Sequence, residues 1–255
     1  MSGPVRVEPL HNGAVARLWL ARPKANVLDT PMILALREAI DGLRGRPSLK
    51  LVLFEGEGPH FSFGASVEEH LPERVGAMLP TFHDLFRQIE GLGVPTAAVV
   101  RGQCLGGGAE LAMWCGNLWC DSGAHIGFPE VKLGVFPPIA ALGLPWRVRG
   151  PEATRLVMTG RTLTGDEATL CGLADVCTPD PFGALDYWYQ EHLAPLPALS
   201  VRMAWRAARR PLARALNDDL PALEHLYLEQ LMAHPDATEG ITAFLERRPP
   251  RWSEP

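Results

Sequence analysis

The reading of this chain turns on Cys104-Leu105-Gly106-Gly107-Gly108-Ala109-Glu110-Leu111-Ala112-Met113. The stretch follows an apolar run, Thr96-Ala97-Ala98-Val99-Val100, that reads as a strand, and it leads into strong helix formers. Three glycines between a strand and a helix place the helix N-terminus at the glycines. Backbone N–H groups there lack intrahelical acceptors, and no side chain blocks the approach of a ligand. Such a start suits an anion or a developing oxyanion. Neither G-x-x-x-x-G-K-[ST] nor G-x-G-x-x-G occurs here, which disfavours a nucleotide phosphate. The same glycines would also serve a helix that merely packs tightly on its neighbouring strand.

Working outward, Val15-Ala16-Arg17-Leu18-Trp19-Leu20 reads as a strand that runs into Arg22-Pro23-Lys24-Ala25-Asn26, where proline stops the ladder. Thr30-Pro31 supplies an expected N-cap and first-turn proline, and Ile33, Leu36, Ile40 and Leu43 recur at helical spacing. Leu51-Val52-Leu53-Phe54 is a short buried strand, and the loop Phe61-Ser62-Phe63-Gly64-Ala65-Ser66 follows it. Beyond the glycines, Ala124-His125-Ile126-Gly127-Phe128-Pro129-Glu130 reads as a strand and turn, and Val135-Phe136-Pro137-Pro138 opens a mostly helical remainder. Strands alternate with helices to about residue 180, and helices follow, so the expected class is α/β with a helical C-terminal part. The sequence shows no internal repeat and no low-complexity linker.

Composition bounds the function. The chain has 255 residues, 47% hydrophobic and 21% charged, which is the balance of a packed globular protein. A net charge of −5 disfavours a general nucleic-acid or anionic-membrane surface. No apolar run approaches the ~18 residues of a membrane span. The first residues, Met1-Ser2-Gly3-Pro4-Val5-Arg6, lack a charged-then-apolar leader pattern, so the expected compartment is the cytoplasm. Five cysteines without a C-x-x-C pair read as reduced structural thiols, and eight histidines without paired spacing indicate no metal. The 25 glycines and 24 prolines together make roughly a fifth of the chain, against the ~12% of average usage, so tight backbone approaches must be frequent.

Two carboxylates stand out by their settings. Glu110 lies in the first turn of the glycine-started helix and Glu130 follows a proline at a turn, each beside apolar residues. Taken singly, the first could be a dipole partner and the second a solvated side chain. Converging beside an oxyanion hole, they could move protons at a polarised carbonyl compound. Ser66 lacks the second glycine of a nucleophile elbow, which argues against a serine hydrolase. Arg202, Arg206, Arg209, Arg210 and Arg214 share a helix face that could touch phosphate, although a solvated or ion-paired face is the commoner arrangement.

Six ordered pieces together resemble the crotonase (enoyl-CoA hydratase/isomerase) superfamily over nearly the whole chain. They are Arg22 to Leu28, Phe61 to Ala65, Cys104 to Ala112, Phe128 to Gly134, Thr159-Gly160 with Gly172 to Asp175, and Glu239 to Arg248. The resemblance implies a spiral ββα core, residues 1–195, and a C-terminal helical region, 196–255, that builds a homotrimer or a dimer of trimers. It implies an acyl-CoA substrate whose thioester oxygen is held by the N–H groups of Ala65 and Gly107. CoA is then part of the substrate, with no separate cofactor and no metal. Glu110 and Glu130 fill the two acid/base positions of the hydratases, and keeping both favours hydration over isomerisation. Lys24, Ala25, Val27, Phe63, Phe244 and Arg247 fall at CoA-contact positions, the last two facing the CoA of a neighbouring subunit. Ser66 replaces a common Asp, and Phe136 to Leu142 replaces a glycine-rich stretch. Phe63 to Pro72 combined with Gly134 to Pro138 is similar to superfamily members that hydrate a cyclic conjugated dienoyl-CoA in anaerobic aromatic degradation. The alternatives are a generic enoyl-CoA hydratase or isomerase and a non-catalytic RNA-binding member of the fold.

Overall fold

The computed structural model describes residues 3–253; Met1 and Ser2, which begin the segment inspected for a leader, lie outside it. The strands are β1 (Val5–Leu10), β2 (Val15–Leu20), β3 (Leu51–Gly56), β4 (Thr96–Val100), β5 (Gln103–Leu105), β6 (Asn117–Cys120), β7 (His125–Gly127), β8 (Thr162–Thr164) and β9 (Val176–Cys177). The helices are α1 (Thr30–Asp41), α2 (Pro72–Leu92), α3 (Gly107–Trp114), α4 (Pro138–Gly143), α5 (Gly150–Thr159), α6 (Gly165–Cys171), α7 (Pro181–His192), α8 (Ala198–Asp218), α9 (Leu220–His225) and α10 (Pro235–Leu245).

The larger sheet runs β1-β2-β3-β4-β6-β9, parallel except for β1, and the smaller runs β5-β7-β8. The chain alternates between them: β4 lies in the large sheet, β5 in the small, then β6 in the large and β7 in the small. Two isolated bridges, Leu28 to Ala65 and Ser62 to Cys104, extend the small layer back through the two preceding turns. Each circuit therefore adds a rung to both layers, which is the ββα spiral. Parallel strands covered on both faces must be apolar throughout, and β4 is fully buried. Stacking of rungs sets the loop 61–65 directly against the turn after β5.

Two local differences from the sequence reading have physical causes. The cap of α1 is Asp29, not Thr30: its carboxylate accepts from the Met32 N–H at 2.9 Å. Thr30 is already helical, and both its N–H and its hydroxyl donate to the Glu69 carboxylate. The strand β1, which the reading does not name, carries Pro9 and alternating charges, as befits an antiparallel edge.

The C-terminal helices pack into the same core as the spiral. Leu212, Leu216, Leu220, Tyr227, Ala237 and Ile241 join Phe82, Phe86, Trp114 and Phe128 in one hydrophobic cluster. Among the described residues no helix is long and apolar enough to cross a membrane. The five cysteines are free.

Candidate active site

The glycine-rich turn and the loop 61–65 meet as the spiral predicts. Gly106 has φ +51°, a conformation glycine adopts without strain, and a Cβ there would lie 2.9 Å from the Glu130 Oε1. A Cβ on Gly107 would lie 3.2 Å from the Ala65 nitrogen and 3.0 Å from the Phe82 ring, so the amides of Ala65 and Gly107 sit side by side. In the bridge to Leu28, the Leu28 N–H donates to the Gly64 carbonyl and the Ser66 N–H to the Leu28 carbonyl, which turns the Ala65 N–H away from Leu28. The Gly107 N–H, at the helix start, has no intrahelical acceptor.

The loop is held from behind. The Ser62 hydroxyl donates to the Asn26 carbonyl at 2.8 Å and accepts from the Gly64 N–H at 3.0 Å. Asn26, buried in a left-handed conformation, donates through its side-chain amide to the Glu57 and His60 carbonyls and accepts from the Arg22 N–H. Two segments distant in sequence, 22–28 and 57–66, thus fix the position of the Ala65 amide.

Glu110 and Glu130 converge on one inner cavity of about 70 Å³. Its walls include Phe82, Phe136, Pro137, Tyr227 and the Gly106-Gly107 turn. Glu110 is buried, and its Oε1 accepts from the Ala140 N–H at 2.9 Å. The segment that departs from the family pattern explains this bond. Pro138 opens α4 without an N–H, so Ile139 and Ala140 supply the first free amides, and they face the carboxylate. Burial pushes the Glu110 carboxyl up to about 7, with the Ala140 and Ile139 amides opposing the rise. Glu130 stands on a 3₁₀ turn, Pro129–Leu133. Gly134 ends that turn, and a Cβ there would meet the Asp236 carbonyl of α10 at 2.6 Å. Burial raises the Glu130 carboxyl well above the ordinary range, the nearby Glu110 charge raises it further, and its buried Oε2 has no partner among the described residues. Two carboxyls in one apolar cavity cannot both ionise cheaply, so they share a proton near neutrality. That arrangement supports proton delivery and removal at one bound molecule.

An outer apolar groove of about 830 Å³ adjoins the cavity through Phe63, Ala65, Val67, Pro129 and Leu133, and Val27, Lys132, Phe244 and Leu245 complete it. Of the expected CoA contacts, the structure brings Val27, Phe63 and Phe244 together here, so Phe244, expected to face a neighbouring subunit's CoA, lines this chain's own groove. Ala25 stands behind them, its carbonyl accepting from the Phe63 N–H, while Lys24 and Arg247 lie on the exterior outside the groove lining. The sequence reading passes over Tyr227, Phe82 and Lys132. Tyr227 sits in a leucine-rich helical run whose only visible signal is that of core packing. On the arginine face, Arg209 pairs with Glu90, Arg214 with Asp218, and Arg202 donates to the Arg46 carbonyl. Among the described residues no group of three His, Cys, Asp or Glu side chains is arranged to hold a metal ion.

The chain belongs to the enoyl-CoA hydratase/isomerase family, whose model matches residues 11–255. It is 45% identical to the cyclohexa-1,5-dienecarbonyl-CoA hydratase of Thauera aromatica over 251 residues, 98% of this chain and 97% of that one. It is 30% identical to the 2,3-dehydroadipyl-CoA hydratase of Escherichia coli K12, covering 92% of this chain and 94% of that protein. The crystal structure of an enoyl-CoA hydratase from Mycobacterium avium subsp. paratuberculosis superposes with a TM-score of 0.84 at 26% identity, covering 98% and 99% of the two chains.

Proposed function

We propose that this protein is a hydro-lyase that adds water to cyclohexa-1,5-diene-1-carbonyl-CoA, giving 6-hydroxycyclohex-1-ene-1-carbonyl-CoA in anaerobic aromatic degradation. The observation that carries the reading is that two buried carboxylates share one cavity beside two adjacent backbone amides. The similarity to the Thauera aromatica hydratase supports the choice of ester.

The thioester oxygen accepts from the Ala65 and Gly107 N–H groups, which draws electron density from the conjugated ring and makes C2 electrophilic. Water adds at C2, and the negative charge spreads through C1 and C6 to C5. Protonation at C5 leaves the double bond between C1 and the old C6, which renumbers to the 6-hydroxy-1-ene product. One molecule of water enters and no electrons leave, so no redox cofactor is required. Glu110, whose charge is stabilised by the Ala140 amide, orients the water and accepts its proton. Glu130, with no donor on its Oε2 among the described residues, carries the proton delivered to carbon. The flat aromatic walls supplied by Phe82, Phe136 and Tyr227 suit a ring. Val27, Phe63, Lys132 and Phe244 follow the CoA chain outward, with Lys24 and Ala25 at its nucleotide end. Arg247 reaches a neighbouring subunit's CoA. The core is residues 1–195 and the assembling region 196–255, forming a homotrimer or dimer of trimers; exposed Leu196, Leu199 and Met203 support association.

The test compares crotonyl-CoA with the cyclic diene and reads product mass and hydroxyl position. In D₂O the addition described puts deuterium at C3 of the product, whereas direct addition across the old C5=C6 bond puts it at C5. A clear preference for crotonyl-CoA would overturn the choice of substrate, and light scattering reads the assembly.

A further inference from the structure

Two polar side chains of the inner cavity go unused in the scheme above: His70, whose Nδ1 bonds the Ser66 carbonyl, and Tyr227, whose phenol is the one left unpartnered among the described residues. Its ring is 1% exposed and lines the cavity with Glu110 and Glu130, and its buried hydroxyl has no hydrogen-bond partner among the described residues. Buried tyrosine hydroxyls ordinarily find one. The second buried atom left unpartnered on the same cavity is the Glu130 Oε2. A water in that cavity has the phenol and the two carboxylates among its walls, and a buried water typically takes about three polar partners. The phenol is held in place: its ring lies 5.3 Å from that of Phe136 at 55°, and it stands on a π-helical turn, Leu226–Leu231, a backbone form frequent at functional sites. Burial and the two carboxylates, Glu130 ahead of Glu110, raise its pKa, so it stays neutral wherever either glutamate works.

We propose that Tyr227 is a third catalytic group, which holds the attacking water and then the hydroxyl that water becomes. The inference rests on the hydratase reading. The Tyr227 oxygen accepts the hydrogen that the water keeps. The other hydrogen passes to Glu110, the oxygen lone pair forms the bond to the ring carbon, and the Glu130 proton completes the addition. Substrate plus one water gives product, and the glutamates regain their starting states by exchange with solvent. The product hydroxyl then donates to Tyr227, so the site recognises a hydroxylated ring as well as a flat diene.

The test is Tyr227→Phe, which keeps the ring against Phe136 and removes an atom that has no partner among the described residues. Turnover of the cyclic diene should fall ~10-fold or more while KM changes less than ~3-fold. A second readout needs no turnover. In a Glu110→Gln background, the affinity of the 6-hydroxy ester is compared with that of cyclohex-1-ene-1-carbonyl-CoA. Phenylalanine at 227 should reduce the preference for the hydroxyl by ~2–10-fold. Unchanged kcat together with an unchanged hydroxyl preference would overturn the inference. If the unsubstituted enzyme fails to hydrate the diene, the substrate reading falls, and the hydroxyl preference still decides the role of Tyr227.

Discussion

Replacing Glu110 with glutamine should make the protein less active and, above neutral pH, more stable. The two effects come from one feature, a carboxylate buried beside another. The folded Glu110 carboxyl titrates near 7, against 4.5 for the unperturbed group. Between those values the native chain keeps a proton that the unfolded chain has released. The Glu110 contribution to stability therefore falls as pH rises through the window and levels off above about 7, on top of the separate fall that Glu130 brings to parent and variant alike. The difference, 7 − 4.5 = 2.5 units, is worth about 3 kcal/mol at 1.36 kcal/mol per unit once both states are ionised. At pH 5 most of that penalty has not yet appeared, and at pH 8.5 nearly all of it has. Glutamine never ionises, has nearly the same shape, and can still accept from the Ala140 N–H through its amide oxygen. The variant should then match the parent near pH 5 and exceed it by about 3 kcal/mol at pH 8.5. At 2–4 °C per kcal/mol for a chain of this size, the shift is roughly 6–12 °C in melting temperature. Hydration should fall by at least ~10²-fold, since the group that takes the water proton is gone.

The assay is a pair of melting curves at pH 5 and pH 8.5 with steady-state rates on the same preparations. CoA-ester binding, measured separately, should persist because the amides and groove are untouched. A variant less stable than the parent at pH 8.5 would refute the burial argument. Full retained activity would refute the role of Glu110, whatever its stability.

Two further outcomes follow from the geometry. Gly107→Ala sets a methyl 3.2 Å from the Ala65 nitrogen and 3.0 Å from Phe82, in the space where the thioester oxygen must sit, so kcat/KM should drop by ~10²–10³-fold. Near-normal kinetics with an unchanged circular dichroism spectrum would remove the two amides from the mechanism. Arg209→Ala takes the counter-charge from the largely buried Glu90, which keeps only the neutral Trp114 indole N–H as a donor among the described residues, and it removes the Arg209 donor from the Trp114 carbonyl. Chemical denaturation should show a loss of ~3–5 kcal/mol, and a loss below ~1 kcal/mol would mark the pair as a surface contact.

The parts of the site that could be read from sequence are those in which backbone, not packing, does the work. Three glycines after an apolar strand already say where unpaired amides stand, because no other residue leaves a helix start so open. Glu110 comes with them, being three residues along the same turn. Glu130 and Ala65 are different: local spacing says nothing about a partner 20 or 45 positions away, and only the stacking of rungs in the spiral, implied by family resemblance, brings them to the glycines. The proline segment was visible as a departure, but its consequence was not. Residues 137 and 138 withhold their amides, so the first donors of α4 fall on Ile139 and Ala140, beside Glu110. Tyr227 marks the limit. In a helix rich in leucine an aromatic residue reads as core, and it is core by burial. Its polar end becomes meaningful only because a C-terminal helix folds back over the carboxylate pair, a contact no periodicity encodes. That return also sets the acyl cavity apart from the oxyanion turn: the turn is built wholly by the spiral, whereas the cavity is closed in part by Tyr227 and Ile241, from the region expected to assemble subunits. If the C-terminal helices assemble subunits as proposed, choice of acyl group and assembly run through the same helices, while polarisation of the thioester does not.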